Sequence, residues 1–572
     1  MKRYKTIFIA FISLLRSTAM NAQNAQFEAE NAQLIGTSIA TQHVGYSGSG
    51  YVNGFDNDGD KVVFTFDWET TGNFQLYIGF SAPSGNKNNY VYVNGANIGN
   101  LLFANTSKFT ELNAGKISLN KGSNTIAIEK SWGWIEVDYI RIGPAEASAE
   151  WNISTEPINP KASAEAVSMK KFLVSNFGKT TFAGQFQSDD RLYTESNSDI
   201  ALVKKMSGKF PAVYGNDLID YSPSRVAFGA SSKAIEDVIA YAKNMNGMIT
   251  LSWHWNAPTD LPNTDDQPWW SGFYTRATNF DIADVLAHPE SEKYELLISD
   301  IDAIAVQLKK LQAEHIPVLW RPLHEAEGAW FWWGAKGPEA CVELWHILYD
   351  RITNYHQINN LLWVWTTTDS PSALDWYPGD EYVDILGVDV YLSKGDYGVS
   401  PSMFDNLRNL FDGKKLLTMS ENGTIPDPDQ LFTQEAYWSY FCTWVGDFIS
   451  DGEYNTAAHI NSVFNHENIT TADELPDSWD TFVGINELNL STGFKDVQFF
   501  PVPFSDQLNF RISDEWPQSI SIMDPSGKII RTILQSEMQD SFSVSMKAQP
   551  SGIYLIQIQD ENKTETRKAL KY

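Results

Sequence analysis

The pattern of hydrophobic and polar positions divides the chain into three regions. Between residues 27 and 144, short segments alternate apolar and polar residues and are separated by turn-forming residues. This spacing, with no helical periodicity, predicts an antiparallel β-sandwich. Its predicted strands include 62–66, 74–78, 90–95 and 125–129.

The middle of the chain instead alternates short apolar runs with longer helical segments. Segments 292–312 and 339–355 have the 3.6-residue spacing of helices that cover a core on one side. Such an alternation predicts a parallel α/β arrangement, and about eight strands are the number in a closed (β/α)8 barrel. The predicted strands are 181–185, 212–215, 247–252, 316–320, 361–366, 383–390, 415–420 and 438–444.

The last region returns to short strands, predicted at 507–512, 519–523, 529–533 and 552–557. A small β-sandwich of about 75 to 85 residues is large enough to fold independently. The fold class is therefore multidomain: an N-terminal β-sandwich, a central (β/α)8 TIM barrel and a small C-terminal β-sandwich. The predicted boundaries are 26–145, 166–488 and 489–572, with an Ala-, Ser-, Glu- and Pro-rich linker at 146–165.

Residues 1–22 have the features of a cleaved signal peptide. Lys2, Arg3 and Lys5 form a basic start, residues 6–15 form a short apolar stretch, and small residues at 19–25 suit cleavage. No later apolar run approaches the ~18 residues that a membrane-spanning helix needs. The sequence therefore predicts an exported protein without a membrane-spanning segment.

The net charge and the composition limit the classes of molecule that the protein is expected to bind. The formal net charge of −29 predicts a surface that repels nucleic acid and anionic membranes, whereas a neutral polysaccharide is compatible with it. The 20 Trp and 24 Tyr are explained either by carbohydrate binding or by large, well-filled cores. The two cysteines, Cys341 and Cys442, lie in apolar context, which favours buried free thiols over a disulfide.

The densest chemistry comes after the predicted strand 316–320, where Arg-Pro, a His-Glu pair and four aromatic residues occur within 321–333. Aromatic neighbours desolvate the carboxyl group of Glu325 and raise its pKa toward the range of a general acid. Glu421 ends another predicted strand, and the carboxyl ends of barrel strands converge on one face. Because glycoside hydrolysis uses a carboxylic acid and a carboxylate, these two residues are the candidate pair.

The candidate pair has a structural alternative and rival acids. A buried aromatic cluster around a salt-bridged glutamate would also account for the segment near Glu325. Glu327 is a rival acid but is predicted to be a rim contact. Asp384 and Asp389 are predicted to be buried hydrogen-bond acceptors within a strand.

Three motifs, the first of them in two parts, resemble glycoside hydrolase family 26, whose members are mostly β-mannanases. They are Arg-Pro-Leu-His-Glu at 321–325, Gly-Ala-Trp-Phe-Trp-Trp-Gly at 328–334, Leu-Ser-Trp-His-Trp-Asn-Ala-Pro at 251–258 and Ser-Glu-Asn-Gly at 420–423. The resemblance covers residues 160–488. It implies a retaining double displacement without a catalytic cofactor, with Glu325 as general acid/base, Glu421 as nucleophile, and carboxyl groups about 5 to 5.5 Å apart.

The same resemblance implies a set of substrate contacts. One histidine contacts the sugar next to the cleaved bond, while a second histidine and a tyrosine hydrogen-bond Glu421. Two tryptophans stack on sugars, one on the leaving-group side and one under the reacting sugar, with core packing as the alternative for each aromatic. The first histidine is His254, and its neighbour Trp255 is included as a substrate contact. The second histidine is His324 and the tyrosine is Tyr391. Trp330 is the tryptophan on the leaving-group side, and Trp444 is the one under the reacting sugar. Ala326-Glu327 departs from a Met-Asn pair common in the family.

The N-terminal region resembles carbohydrate-binding modules of families 6 and 35 at its two ends, 27–31 and 132–140. This resemblance implies a structural calcium ion held by Glu28, Glu30 and Asp138, with a solvated acidic strand edge as the alternative for the two glutamates. The candidate glycan face consists of Tyr51, Asn53, Trp132 and Trp134, and core packing competes for at least one tryptophan.

The C-terminal region resembles the sorting domain of type IX secretion at 501–504, 524–528, 550–554 and 568–571. This implies the type IX secretion machinery as a partner and a secreted or cell-surface location. Together the resemblances imply an endo-β-1,4-mannanase that acts on mannan, glucomannan or galactomannan of plant type. The same machinery on mixed-linkage β-glucan or β-1,3-xylan is an alternative, and a non-catalytic glycan-binding protein is another.

Overall fold

The computed structural model describes residues 24–188, 191–369, 372–477, 479–481, 497–500, 506–512, 516–524, 528–539, 541–550, 552–560 and 563–571. The predicted signal peptide, 1–22, lies outside these residues. The chain forms two compact units, Met1–Asp477 and Ser478–Tyr572.

The N-terminal part of the first unit is the predicted antiparallel β-sandwich. One sheet has the order Ser38–Ala40, Tyr51–Asn53, Glu136–Pro144, Gly72–Ala82 and Thr106–Leu119, and Ala25–Glu28 also pairs with Glu136–Pro144. The other has the order Gln33–Ile35, Lys61–Trp68, Gly122–Lys130, Lys87–Val93 and Ala96–Phe103. Alternate residues such as Leu76, Ile78 and Ile126 fill the space between the sheets, which explains the period-2 pattern.

The connection to the next domain has no helix or strand between Ala145 and Ser163, all of which are described. It nevertheless packs on the barrel, because the Trp151 ring contacts Phe177 and Phe404 and lies under the guanidinium of Arg408. The predicted linker is therefore irregular in backbone but held in place by side-chain contacts.

Eight parallel strands close into the predicted barrel, with the last strand pairing with the first and the first with the second. All except β6 are buried along their whole length, as expected of parallel strands covered on both faces. In chain order they are β1 (Thr181–Phe186), β2 (Val213–Asp217), β3 (Met248–Ser252), β4 (Val318–Arg321), β5 (Leu361–Thr366), β6 (Ile385–Val390), β7 (Leu416–Asn422) and β8 (Tyr440–Thr443). A short strand, Ile469–Thr470, adds to the amino end of β1.

Helices surround the barrel at Ala164–Asn176, Asp199–Ser207, Pro223–Ala227, Ala234–Met245, Ile282–Ala287, Glu292–Ala313, Pro338–Tyr349, Ala373–Trp376, Pro401–Leu410, Pro428–Thr433, Asp447–Ser450 and Ala457–Phe464. The predicted helix 339–355 is α-helical only to Tyr349 and continues as a π-helical turn, Asp350–Tyr355. Cys341 and Cys442 are buried free thiols, as predicted. No helix among the described residues has both the length and the apolar character that a membrane crossing requires.

The second unit contains two small antiparallel sheets. One joins Val497–Phe500, Gln507–Ile512 and Ser541–Ser545. The other has the order Ile529–Leu534, Ser519–Met523, Gly552–Asp560 and Lys563–Lys571. Leu508, Phe510, Ile520 and Ile556 are among the residues of its hydrophobic core, which confirms the predicted small all-β domain.

Candidate active site

A cleft of about 650 Å³ opens at the carboxyl ends of the barrel strands. Both candidate carboxylates, Glu325 and Glu421, line it. Its lining also includes Asp217, His254, Trp270, Trp330, Phe331, Tyr391 and Trp444. The barrel therefore brings residues from strands far apart in sequence to one concave surface.

Glu325 is held in the cleft by a strained loop. After β4 ends at Arg321, both Leu323 and Glu325 adopt left-handed backbone conformations, with φ of 49° and 53°. Non-glycine residues adopt this region rarely, and such strain clusters at functional sites. The loop also requires glycine at 334, because a Cβ there would lie 2.0 Å from the carbonyl oxygen of Ala326.

The aromatic residues after Glu325 brace this loop. The indole of Trp333 donates a hydrogen bond to the carbonyl oxygen of His324 at 2.9 Å, and that of Trp332 to the carbonyl oxygen of Trp255 at 2.6 Å. The indole of Trp330 donates to the carboxylate of Glu325 itself at 2.9 Å. Two of these three tryptophans are thus structural, while Trp330 contacts the candidate acid.

Glu421 is aimed into the cleft by an irregularity in β7. Val388 pairs with Met419 and Asp389 pairs with Glu421, so Ser420 is an additional residue on the β7 side. Its hydroxyl donates to Asp389 at 2.8 Å. A bulge of this kind redirects the following side chain, which is how a buried strand presents a carboxylate at its end.

A fully buried arginine joins the acids. Arg321 forms ion pairs with Glu421 and, at 2.9 Å, with Asp389. Tyr391 donates a further hydrogen bond to Glu421. One carboxylate oxygen from each of Glu325, Asp389 and Glu421 lies within 4.8 Å of the others. Three acids therefore surround one permanent positive charge, and the site favours a proton on one of the acids.

The environments of the two glutamates differ. Burial and the charges of Asp389 and Glu421 raise the pKa of Glu325, and the charge of Arg321 offsets them only in part. Burial and Asp389 also raise the pKa of Glu421, but Arg321 and the hydrogen bond from Tyr391 oppose that rise. The proton therefore resides on Glu325 in preference to Glu421, which is the division of states that an acid and a nucleophile need.

The position of His324 differs from its predicted role as a hydrogen-bond partner of Glu421. Its Nε2 lies 3.1 Å from Nε2 of His254, and its ring is buried outside the cleft lining. Arg321 and Tyr391 are the groups that contact Glu421. The reason is geometric. His324 follows β4 and lies near the adjacent strand β3, whereas Arg321 is the last residue of β4 and reaches across the barrel to Glu421.

The aromatic predictions divide by exposure. Trp330 is 48% exposed, and Trp330 and Trp444 both line the cleft as expected. Trp255 is wrong as a substrate contact, because it is completely buried, stacks on Trp253 at 4.1 Å and donates to Asp300 at 2.8 Å. Only His254, between the two tryptophans, faces the cleft from this segment.

The rival acids have structural partners. Glu327 accepts hydrogen bonds from the hydroxyl of Thr367 at 2.8 Å and the backbone of Thr368 at 3.2 Å, which ties the β4 loop to the end of β5. Asp384 is buried and accepts from the backbone of Ile158 at 2.9 Å and Trp363 at 3.0 Å. Both therefore act as hydrogen-bond acceptors, as predicted for Asp384.

In the N-terminal module, Trp132 and Trp134 are 58% and 54% exposed and lie side by side, with the Lys87 ammonium about 5.0 and 4.9 Å from their ring centres. Tyr51 is wrong as part of an exposed glycan face, because its ring is buried against Tyr46 and Phe109. Asn53 is half-buried and accepts from Ser38 at 3.2 Å.

The three acids predicted to bind calcium converge on one loop of the module. The backbone of Ser47 donates to Asp138 at 2.9 Å and its hydroxyl donates to Glu28 at 2.6 Å. Glu30 Oε2 is buried without a hydrogen-bond partner among the described residues. Burial raises the pKa of Asp138 to about 6, with Glu28 and Glu30 contributing, although the hydrogen bonds from Ser47 oppose the rise.

Sequence reasoning missed two functional groups of the site. Asp217 ends β2, which extends beyond the predicted end at residue 215, and Arg321 stands in the sequence only as part of a motif. The signal for both is a charged residue that terminates an apolar strand, since such positions reach the functional face of a barrel.

The fold and the site together define a TIM-barrel glycosidase with two carboxylates in its cleft. The model of glycosyl hydrolase family 26 matches residues 158–474, more than half of the chain, and the chain belongs to this family. The model of carbohydrate binding module family 35 matches residues 25–145, and that of the secretion system C-terminal sorting domain matches 498–571.

Two relatives and one solved structure each align with about four fifths of this chain. A mannan endo-1,4-β-mannosidase of Thermothelomyces thermophilus is 43% identical over 449 residues, which is 78% of this chain and 90% of the relative. A mannan endo-1,4-β-mannosidase B of Piromyces sp. is 37% identical over 462 residues, 80% of this chain and 78% of the relative. The crystal structure of a Podospora anserina GH26-CBM35 β-(1,4)-mannanase covers 80% of this chain and 99% of its own, with 43% identity and a TM-score of 0.57.

Proposed function

We propose that the chain is a retaining endo-β-1,4-mannanase with Glu421 as nucleophile and Glu325 as general acid/base. The observation that carries the proposal is the asymmetry of the pair. Glu421 is buried and receives a positive charge and a phenolic hydrogen bond, whereas Glu325 is half-buried beside Asp389 and Glu421 and receives the indole hydrogen bond of Trp330. The mannosidase names and the high coverage of the relatives favour mannan as the substrate.

In the first step, the Glu421 carboxylate attacks the anomeric carbon while Glu325 transfers its proton to the departing glycosidic oxygen. A glycosyl-enzyme ester forms and the leaving chain departs as an alcohol. Glu325, now ionised, removes a proton from water, which attacks the anomeric carbon and releases Glu421. Arg321 and Tyr391 stabilise the Glu421 carboxylate when it is regenerated as leaving group.

The cleft shape supports binding of a chain rather than a single sugar. Trp330 and Trp444 are aromatic surfaces near the two glutamates, and His254 lies within 5.6 Å of the Trp444 ring centre. Trp270, 54% exposed, also lines this cleft. Aromatic faces spaced along an open cleft suit successive sugar rings of a polysaccharide.

The substrate assignment is tested by release of reducing sugar from glucomannan, galactomannan, mixed-linkage β-glucan and xylans. The wild-type protein is expected to cleave the mannans. Cleavage of glucan or xylan alone would retain the two-carboxylate chemistry and overturn the mannanase assignment. Absence of turnover on every polymer would support a non-catalytic glycan-binding protein.

The pH profile should respond to Tyr391→Phe. Activity requires ionised Glu421 and protonated Glu325, so it falls on both sides of an optimum. The Tyr391 hydroxyl donates to the Glu421 carboxylate and stabilises its ionised form, so its loss raises the pKa of Glu421 and moves the acidic limb to higher pH. We also expect kcat/KM to fall about 10- to 100-fold, as for loss of a hydrogen bond to a charged group.

Tyr397→Phe is the matched control for this prediction. Tyr397 lies on the same loop after β6 but outside the cleft lining, and its ring stacks on His459. Removal of the Tyr397 hydroxyl should leave both limbs of the pH profile in place. An unshifted acidic limb in Tyr391→Phe would contradict the assignment of that limb to Glu421.

Calcium binding by Glu28, Glu30 and Asp138 is supported by the chemistry of this cluster. Three carboxylates without a cation repel one another, and oxygen ligands of this kind suit Ca²⁺. Gly48 leaves the required room, because a Cβ there would lie 2.2 Å from Glu30 Oε1. A bound ion would join Glu28, at the end of strand Ala25–Glu28, to Asp138 in the neighbouring strand Glu136–Pro144.

Removal of calcium is expected to lower the unfolding temperature of the N-terminal module. A ligand that binds only the folded state stabilises it by about 2.7 kcal/mol at 100 times its Kd. Differential scanning calorimetry with and without a chelator measures the change, and Asp138→Asn should abolish the response to added Ca²⁺. An identical calcium response in wild type and Asp138→Asn would refute this site.

The exposed Trp132–Trp134 pair is the proposed glycan face of the module, which would hold the enzyme on its polymer. The sorting-domain match at 498–571 supports export by the type IX route and a secreted or surface-attached enzyme.

A further inference from the structure

Asp217, at the end of β2, is a buried acid in the cleft that takes no part in the proposed double displacement. Its Oδ1 accepts hydrogen bonds from the backbone N–H groups of Ile219 at 2.8 Å and His254 at 3.0 Å. Its Oδ2 accepts from the Ser252 hydroxyl at 2.6 Å and lies 2.7 Å from His254 Nδ1. Burial opposes its ionisation, but the contact with His254 and these hydrogen bonds outweigh burial and lower the pKa of Asp217 to about 2.

This arrangement fixes the proton of His254. An ionised carboxylate only accepts hydrogen bonds, so His254 must carry its proton on Nδ1. In the neutral ring, Nε2 is then a lone pair, and it lies 3.1 Å from His324 Nε2. His324 must therefore donate from Nε2 and leave its Nδ1 without a proton.

The surroundings of His324 agree with that tautomer. Its ring is 1% exposed, and Nδ1 has no hydrogen-bond partner in the described part of the chain. Burial, together with the charge of Arg321, lowers the pKa of His324 well below its ordinary value, so the ring stays neutral. A proton on Nδ1 would be a buried donor without an acceptor, which is rarer in proteins than an unpaired acceptor.

We propose that Asp217 is a positioning residue that acts through His254 and His324. Asp217 accepts a hydrogen bond from Nδ1 of His254, and Nε2 of His254 accepts one from His324. Asp217 thereby holds the ring of His254 in one orientation and keeps its Nε2 without a proton. The proposal rests on the proposed function only for the role of His254 as a sugar contact.

The groups that face His254 come from four strands. Asp217 approaches from β2, His324 from the loop after β4, Glu421 from β7, and Trp444 from the end of β8. Phe273 and Phe331 cover the ring from the loops at 5.2 and 5.4 Å between ring centres. Asp217 is the acid in direct hydrogen-bond contact with the ring among these described neighbours, so it determines where the ring proton lies.

Asp217→Asn reverses the direction of the hydrogen bond between residue 217 and His254, with almost no change in the size of the side chain. The two backbone N–H groups require the amide oxygen, so the NH₂ group must face Ser252 and His254 Nδ1. His254 then accepts at Nδ1 and carries its proton on Nε2, opposite the proton of His324. We expect kcat/KM on mannan to fall on the order of 100-fold, because a wrong histidine tautomer is costly even when geometry is retained.

His324→Gln provides a test that a purely structural role would not pass. In the Asp217→Asn background, the glutamine amide can turn its oxygen toward the Nε2–H of His254. The double variant should therefore be more active than Asp217→Asn alone, although His324→Gln by itself lowers the activity of the wild type. Losses that simply multiply would overturn the proposal, since they indicate independent effects.

Asp300→Asn is the matched control. Asp300 is also a buried aspartate and also contacts the segment 253–255, but it accepts from the indole of Trp255, to which an asparagine oxygen can still bind. It should retain wild-type kcat/KM within about twofold. Near wild-type activity in Asp217→Asn would refute the proposal.

A second readout separates this proposal from the proposed function. In ¹⁵N NMR spectra of protein labelled only in its 9 histidines, His254 should show a protonated Nδ1 in the wild type and a protonated Nε2 in Asp217→Asn. The signal is assigned by its loss in His254→Gln. An unchanged tautomer overturns the role of Asp217 whichever polysaccharide is cleaved, whereas failure of the wild type to cleave mannan refutes only the proposed function.

Discussion

Glu421→Ala is expected to lower kcat on mannan by about 10⁴-fold or more, a larger loss than for any other residue of the cleft. The carboxylate is the group that forms the covalent bond, and Arg321 and Tyr391 contact it directly. The substitution also opens a space beside the anomeric carbon. Sodium azide should partly restore turnover, because azide can attack from that space while Glu325 still protonates the leaving group.

The product of the azide reaction identifies the face of attack. A single displacement by azide gives an α-mannosyl azide, which NMR distinguishes from the β-anomer of the normal product. Glu435→Ala, at an exposed glutamate away from the cleft, is the control and should keep wild-type activity. Full activity in Glu421→Ala, or no effect of azide, would contradict the role of Glu421.

Glu325→Gln should produce a different kind of loss, one that depends on the leaving group. On mannan, kcat/KM is expected to fall about 10²- to 10⁴-fold, because the departing oxygen is no longer protonated. A dinitrophenyl β-mannobioside needs no protonation, so its first step should remain fast while hydrolysis of the glycosyl-enzyme becomes slow. Stopped-flow absorbance should then show a burst of dinitrophenolate and a fall in both kcat and KM.

Glu327→Gln is the natural comparison, because it removes a charge two residues away on the same loop. Glu327 is tied to Thr367 and Thr368, so its substitution should loosen the loop and reduce activity on both substrates to a similar, smaller extent. A burst in Glu327→Gln and none in Glu325→Gln would exchange the two assignments.

The barrel is predictable from sequence because its pattern is local. Parallel strands that are buried on both faces leave continuous apolar runs, and each predicted run overlaps an observed strand. The strand ends are harder to predict: β2 extends two residues beyond the predicted 215 to include Asp217. Strand ends depend on how the loops after them pack in three dimensions, and in a barrel those ends carry the chemistry.

Side-chain roles are harder to predict than strands. Trp255 and Trp330 are both tryptophans in aromatic motifs, yet one is fully buried and the other 48% exposed. Spacing along a loop does not give its backbone path, and the left-handed conformations of Leu323 and Glu325 are not visible in the sequence pattern. The predicted hydrogen bond between His324 and Glu421 is wrong for the same reason. Arg321 contacts Glu421 instead, because closure of the barrel brings the end of β4 close to Glu421.

The most direct test of the central claim is to trap the covalent intermediate and locate it. A 2-deoxy-2-fluoro-β-mannosyl substrate with a good leaving group slows both steps, and the second step more, so that the glycosyl-enzyme accumulates. Mass spectrometry of peptides from the inactivated wild-type enzyme should place the label on Glu421. A label on Glu325 or Asp389, or turnover without any covalent adduct, would contradict the mechanism.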